Sequence, residues 1–146
     1  MKLKQLSVFL ENKPGALSAP CRLLAAAGIN IQTFSLADTR DFGILRLIVE
    51  ESDRARRLLV RNGFAVKLTE VVALEVPDQP GGLATILDAL EGTGINVEYA
   101  YAFTAKEGGH GLLLFRFSDP AGAVKLLKAR KISTVSTEDL FRRLKN

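Results

Sequence analysis

Three asparagines, an aspartate and four glycines recur in this sequence at one spacing, and their types suit the holding of a small zwitterion. Asn12 stands just before Pro14 and Gly15, and 66 residues later Asp78 stands just before Pro80 and Gly81. The same spacing of 66 residues carries Gly28-Ile29-Asn30-Ile31 onto Gly94-Ile95-Asn96-Val97. A glycine at such a turn lets a ligand approach the backbone, and the helix that follows offers unpaired amides and the positive end of its dipole to a carboxylate. Asn12 or Asp78 can accept from an ammonium group, while the amides of Asn30 and Asn96 can both donate and accept. Together these groups could bracket an α-amino acid. Taken singly, a Pro-Gly pair is a common turn and the asparagine after Gly-Ile can serve local backbone; the recurrence in register favours the ligand reading.

Catalytic chemistry has no comparable set. The single histidine, His110, lies in Gly108-Gly109-His110-Gly111 and reads as a solvent-exposed turn residue ahead of a metal or acid-base role. A metal site needs more ligands than one histidine and scattered carboxylates supply at any recognisable spacing. Serine nucleophiles lack a positioned base. The single cysteine, Cys21, precludes an intrachain disulfide, and its helical spacing with Leu17 and Leu24 makes it a small core residue. The glycines form neither the dinucleotide fingerprint nor the phosphate-binding loop. No enzyme, cofactor or metal is expected.

Composition is that of a globular chain: 146 residues, 47% hydrophobic, 25% charged, net charge +4. Arg54, Arg56, Arg57 and Arg61 cluster on one expected helix and read as a solvated face ahead of an anion or nucleic-acid patch. No apolar run reaches the roughly 18 residues of a membrane span, and the first residues lead into a strand pattern instead of a signal peptide, so a cytoplasmic, membrane-free protein is expected.

Two copies of one unit position the repeated residues, over residues 1–70 and 71–146. Leu6, Val8 and Leu10 alternate with polar or smaller neighbours, as Val72, Leu74 and Val76 do, which predicts a strand before each turn. Leu17, Cys21 and Leu24, and then Leu83, Ile86, Leu87 and Leu90, predict a helix beginning at each turn and stopping at Gly28 and at Gly94. Pro20 predicts a local distortion of the first helix. Residues 29–36 and 95–103 are strand-like, and a hairpin follows, four residues longer in the second copy with its turn over 104–111. Ser52-Asp53 and Ser118-Asp119 are candidate N-caps, with Pro120 as a first helical residue. Short strands at 65–69 and 131–135 close the copies. Ser136 and Asp139 are spaced as a capping box for a short C-terminal helix. The order βαββαβ predicts an α+β fold of two ferredoxin-like units, each an antiparallel four-stranded sheet with both helices on one face, joined so closely that the units should pack on each other.

The copies differ on one strand face, where Tyr99, Tyr101 and Phe103 replace Thr33, Ser35 and Ala37. Two readings stand: the aromatics plug the interface between copies, or they line a pocket for a large side chain. If only one turn is occupied, a pocket made by the first turn and this aromatic strand is expected.

The run Asn-Lys-Pro-Gly-Ala-Leu, a helix, then Gly-Ile-Asn-Ile resembles the ACT domain, the amino-acid-sensing module of many regulated biosynthetic enzymes, over essentially the whole chain. The resemblance is to stand-alone tandem ACT proteins without a catalytic domain. It implies a continuous eight-stranded antiparallel sheet formed side by side, and an amino acid bound at the domain interface near the turn. The residues it points to are Asn12, Pro14, Gly15, Ala16, Leu17, Asn30 and Ile31, with Asp78, Pro80, Gly81, Gly82, Leu83, Asn96 and Val97. It also implies a homodimer and a regulated enzyme acting in trans as partners. The turns depart from the acidic-basic-Pro-Gly signature at Asn12-Lys13 and at Gln79.

Two alternatives belong to other classes. An RNA-binding module shares the βαββαβ order, and residues 40–47 partly imitate its stacking strand, yet Asp41 stands where glycine is expected and Ile44 and Leu47 replace aromatics. A purely structural oligomerisation module would pair sheet edges and bind nothing small.

Overall fold

The computed structural model describes residues 2–107 and 109–145. Its elements run β1 (Leu3–Glu11), α1 (Ser18–Ala26), β2 (Thr33–Asp38), β3 (Phe42–Ile48), α2 (Ser52–Arg61), β4 (Ala65–Pro77), α3 (Gly82–Leu90), β5 (Val97–Glu107), β6 (His110–Phe117), α4 (Pro120–Ala129), β7 (Thr134–Val135) and α5 (Thr137–Leu144). Two compact units divide the chain, Lys4–Thr69 and Glu70–Asn146, the latter joined by Met1–Leu3. No helix among the described residues is long and apolar enough to cross a membrane.

In the first unit the strand order is β2-β3-β1 and then the beginning of β4. Leu6 lies opposite Leu47, Val8 opposite Leu45 and Leu10 opposite Gly43, so one face of the pleat is aliphatic. That face packs on Leu24 of α1 and on Ala55 and Leu59 of α2, and burial of these side chains holds the helices to the sheet. In the second unit β4 is flanked by β6, with β5 beyond it, and by β7 on its other side. Val72, Leu74, Val76, Phe115 and Phe117 form the core with Ile86, Ala89 and Leu90 of α3 and Ala123 and Leu127 of α4. The α+β class and the ferredoxin-like units are as expected.

Among the described residues the strands number seven and not eight. The closing strand of the first copy and the opening strand of the second are one 13-residue strand, β4, because residues 69–72 contain no residue that breaks extended backbone. The closing strand of the second copy shrinks from the expected 131–135 to Thr134–Val135. Residues 104–107, expected in a turn, extend β5, while His110 and Gly111 open β6, so the extra residues lengthen the ladder, with a bulge between Phe103 and Lys106. Gly108, part of that expected turn, lies outside the described residues.

Helix ends show where the spacing of 66 slips. Asp119 caps α4 by accepting from Gly122 N at 3.1 Å, with Pro120 in the first turn, as expected. Its counterpart on α2 is Glu51, without a side-chain cap, and Ser52 is already helical. The Schellman bonds Phe64 N to Leu59 O (3.1 Å) and Ile132 N to Leu127 O (2.9 Å) carry the same slip of two residues. The first helix ends as expected, with Gly28 at φ +72°, but α3 ends at Leu90, four residues before Gly94, where Glu91 turns to an extended ψ of 131°. On α2, Arg54, Arg57 and Arg61 are exposed and Arg56 is half-buried; Arg54 donates to Ala27 O at 2.6 Å, bracing the end of α1.

The C-terminal helix forms with Ser136 as its N-cap, accepting from Asp139 N at 3.1 Å. It serves the side of the sheet opposite α3 and α4: Arg143 pairs with Glu75 at 2.6 Å, and Glu75 alternates away from Leu74 and Val76. Asp139 does not complete a capping box but pairs with Arg142 and, at 2.8 Å, with Arg143. The hydrogen bond from Arg142, with the charge of Arg143, holds the Asp139 carboxyl below the usual carboxylate range. A lowered folded pKa stabilises the protein above the unfolded value of about 3.9 and ceases to do so as pH falls through the folded value. The thermal midpoint of the wild type should therefore fall more steeply on acidification below about pH 4 than that of Asp139→Asn. Parallel slopes for the two proteins would show that Asp139 carries no such linkage.

Candidate ligand site at the duplicated turn

Two backbone bonds build each turn, and they recur in both units. Lys13 N donates to Glu11 O (3.1 Å) and Ala16 N to Lys13 O (3.2 Å); Gln79 N donates to Pro77 O (2.9 Å) and Gly82 N to Gln79 O (3.0 Å). Each turn is also tied to the tip of its unit's hairpin, by Asn12 N to Asp41 O and Asp78 N to Gly109 O, both 2.9 Å. Gly15 at φ +84° and Gly81 at φ +87° take the left-handed backbone that these turns need, a region costly to residues with a Cβ.

The two turns then part. A Cβ on Gly82 would lie 2.0 Å from the Pro77 carbonyl oxygen, so only glycine allows the backbone to fold back this tightly. Helix α3 accordingly begins at Gly82, directly after the left-handed Gly81. In the first unit Ala16 occupies the matching place, the turn stays open through Leu17, and α1 begins only at Ser18. That late start puts Pro20 in the first helical turn, where its missing N–H has no intrahelical partner to lose; the distortion expected at Pro20 appears as a delayed start.

Beside the first turn lies a cavity of 70 Å³ lined by residues that include Asn12, Ala16, Leu17, Leu36 and Asp38. Beside the second lies one of 340 Å³, lined by Glu75, Pro77 and Gln79, Gly82, Thr85 and Ile86 of α3, His110, and Lys131, Ile132 and Ser133. Small-molecule sites span about 300–1,000 Å³, so only the second is of ligand size. Its opening has a topological cause. β7 pairs with β4 at Ala73 and Leu74, and one further bond, from Glu75 N to Ser133 O at 3.3 Å, ends the contact, so Lys131 and Ile132 lie beyond the ladder beside the end of β4 and α3.

The expected site residues are not all brought together. Asn12 sends its amide into the hairpin, donating to Thr39 O (3.2 Å) and Arg40 O (3.4 Å), which leaves Oδ1 as its acceptor. The segment that imitated an RNA-stacking strand thus anchors the turn. Asp78, Pro80 and Gly81 are exposed on the second turn, as Pro14 and Gly15 are on the first. Leu17 packs toward the first core, whereas Leu83 is 44% exposed and faces out with Leu87. Asn30 and Asn96 are exposed at the far ends of α1 and α3. Nine helical residues at 1.5 Å each separate Asn30 from Gly15 by about 13 Å, so one small amino acid cannot touch both within a unit. Ile31 and Val97 pack against the two cores. Tyr99 and Tyr101 lie opposite Arg116 and Leu114, on the face away from α3 and α4, together with the buried Phe103, and line neither cavity.

Sequence reading missed Glu75, Thr85, His110 as a lining residue, Lys131 and Ser133. Only tertiary structure brings residues 131–133 beside the turn. One signal was nonetheless present in Arg130-Lys131-Ile132, which stands where Asn62-Gly63-Phe64 ends the matching helix of the first unit. Among the described residues no group of His, Cys, Asp and Glu is arranged to hold a metal ion.

The ACT domain pair family matches residues 1–144. Protein BT0572 from Bacteroides thetaiotaomicron is 38% identical, its crystal structure superimposing with a TM-score of 0.87 over 97% of this chain and 96% of that one. The regulatory subunits of aspartate kinase from Thermus thermophilus, in ligand-free form, and from Thermus flavus are 17% and 14% identical. Their TM-scores are 0.63 and 0.58, each over 88% of this chain and 93% and 92% of theirs. No protein of curated function matches.

Proposed function

We propose that this chain, which belongs to the ACT domain pair family, is a non-catalytic regulatory module that binds a small amino acid beside the turn of its second unit and acts on a partner enzyme in trans. The 340 Å³ cavity beside Gly82 carries the reading. It is of ligand size, lies against the first turn of a helix, and is lined by amide, hydroxyl and charged groups, as a zwitterion requires. The aspartate kinase regulatory subunits lend the idea of regulation in trans through their shared fold. Calorimetric titration of the full chain with each standard L-amino acid should give saturable binding of at least one of them. Absence of heat and of any rise in thermal midpoint at millimolar concentrations of every amino acid would overturn the proposal, because a ligand selective for the folded state must stabilise it.

A homodimer belongs to the same reading and is favoured by the terminal strand β2, where Phe34 and Leu36 are 57% and 48% exposed. An open edge carrying large apolar side chains pairs readily with another strand, here that of a second copy. Phe34→Lys should lower the sedimentation coefficient from that of a dimer to that of a monomer; an unchanged dimer would place the contact elsewhere.

A further inference from the structure

Lys131 stands at a strained position. Three helices of this chain, α1, α2 and α4, end in the same hydrogen-bonded turn, which needs a left-handed residue just past the helix. Gly28 (φ +72°) and Gly63 (φ +89°) supply it for the first two, and Lys131 (φ +60°) for the third. Among the described residues Lys131 is the one non-glycine with positive φ. A side chain there is unfavourable, and lysine lacks the short polar group by which asparagine or aspartate tolerates it.

The cavity shows what the residue could be kept for. In the first unit the turn's own cation, Lys13, is neutralised by Glu11 at 2.9 Å. In the second unit these two places hold Gln79 and Pro77, and the basic residue lining the cavity beside the turn is Lys131. The carboxylate in the lining, Glu75, is held by Arg143 at 2.6 Å, whereas the Lys131 ammonium pairs with no acidic group among the described residues. Gln79, Thr85 and Ser133 add an amide and hydroxyls. A cavity with this balance selects an anionic group flanked by hydrogen-bonding atoms.

We infer that Lys131 is a specificity-determining residue of the second-unit cavity, where its ammonium receives the carboxylate of the bound amino acid. The inference rests on the proposed function and sharpens it by naming the recognising charge. Three proteins test it: the wild type, Lys131→Gly and Lys131→Arg, each titrated with the standard L-amino acids one at a time and with inorganic phosphate. Lys131→Gly should raise the unliganded thermal midpoint by about 2 °C through relief of the left-handed strain, yet weaken amino-acid binding about tenfold or more. Lys131→Arg should bind within a few-fold of wild type. A purely structural lysine would not move stability and affinity in opposite directions. Wild-type affinity in Lys131→Gly, or equal losses in Gly and Arg, overturns the inference while the proposed function stands. Phosphate binding as tightly as any amino acid overturns the ligand class. A wild type that binds no amino acid overturns both readings.

Discussion

Gly82→Ala is expected to destabilise the protein by about 3 kcal/mol, the upper range for forcing an extra carbon into a closed space. The new Cβ would lie 2.0 Å from the Pro77 carbonyl oxygen, and the obstacle is backbone at the end of β4, not the tip of a flexible side chain. Relief requires either that α3 start later, as α1 does after Ala16, or that the end of β4 shift. Either movement disturbs Gln79, Thr85 and Ile86, three walls of the cavity. Urea denaturation measures the loss, and Ala16→Gly is the control, expected to cost no more than about 1 kcal/mol because that turn is already open. If Gly82→Ala unfolds at the wild-type urea midpoint, the close approach is not a constraint on the fold.

Gly81→Val should abolish the rise in thermal midpoint that an amino acid gives the wild type, and Gly15→Val should leave it intact. Both glycines have nearly the same left-handed φ, +87° and +84°, and at neither would a Cβ meet an atom within 4 Å. The two substitutions therefore carry similar backbone strain, about 1–2 kcal/mol or more for a β-branched residue, and serve as matched controls for stability. Their surroundings differ. Gly81 O accepts from Thr85 N at 3.0 Å and from Thr85 Oγ1 at 2.9 Å, so turning Gly81 out of the left-handed region moves a wall of the larger cavity. A ligand at a hundred times its dissociation constant adds about 2.7 kcal/mol to folding. For a chain of this length that is a rise of about 5–10 °C, well above the scatter of such measurements. A full rise in Gly81→Val would remove the second turn from the site, and loss of the rise in Gly15→Val alone would move the site to the first.

The repeated turn was legible because its chemistry is local. Pro14-Gly15 and Pro80-Gly81 announce a left-handed residue, strand alternation marks the approach and helical spacing marks the exit, all within about a dozen residues each. Caps were legible where a side chain does the capping, as at Asp119 and Ser136, and misplaced where none does, as at Glu51. The strand count failed at 69–72 because nothing in single-residue preference says whether two adjoining strands remain one. Within one unit Asn30 stands apart from the turn for a geometric reason: closeness in motif is not closeness in space when a helix of nine residues intervenes.

By itself the sequence determined that two βαββαβ units follow one another and that each carries a glycine turn between strand and helix. These are matters of periodicity and local backbone preference. Tertiary structure alone decided which turn faces a space large enough for a ligand. That outcome depends on β7 pairing with β4 over two residues and one further bond, from Glu75 N to Ser133 O, and on Gly82 closing against Pro77. It also depends on Lys131 arriving from the end of a different helix, some 50 residues along the chain from the turn it faces. Such contacts are set by packing between distant segments, and no spacing rule within either segment encodes them.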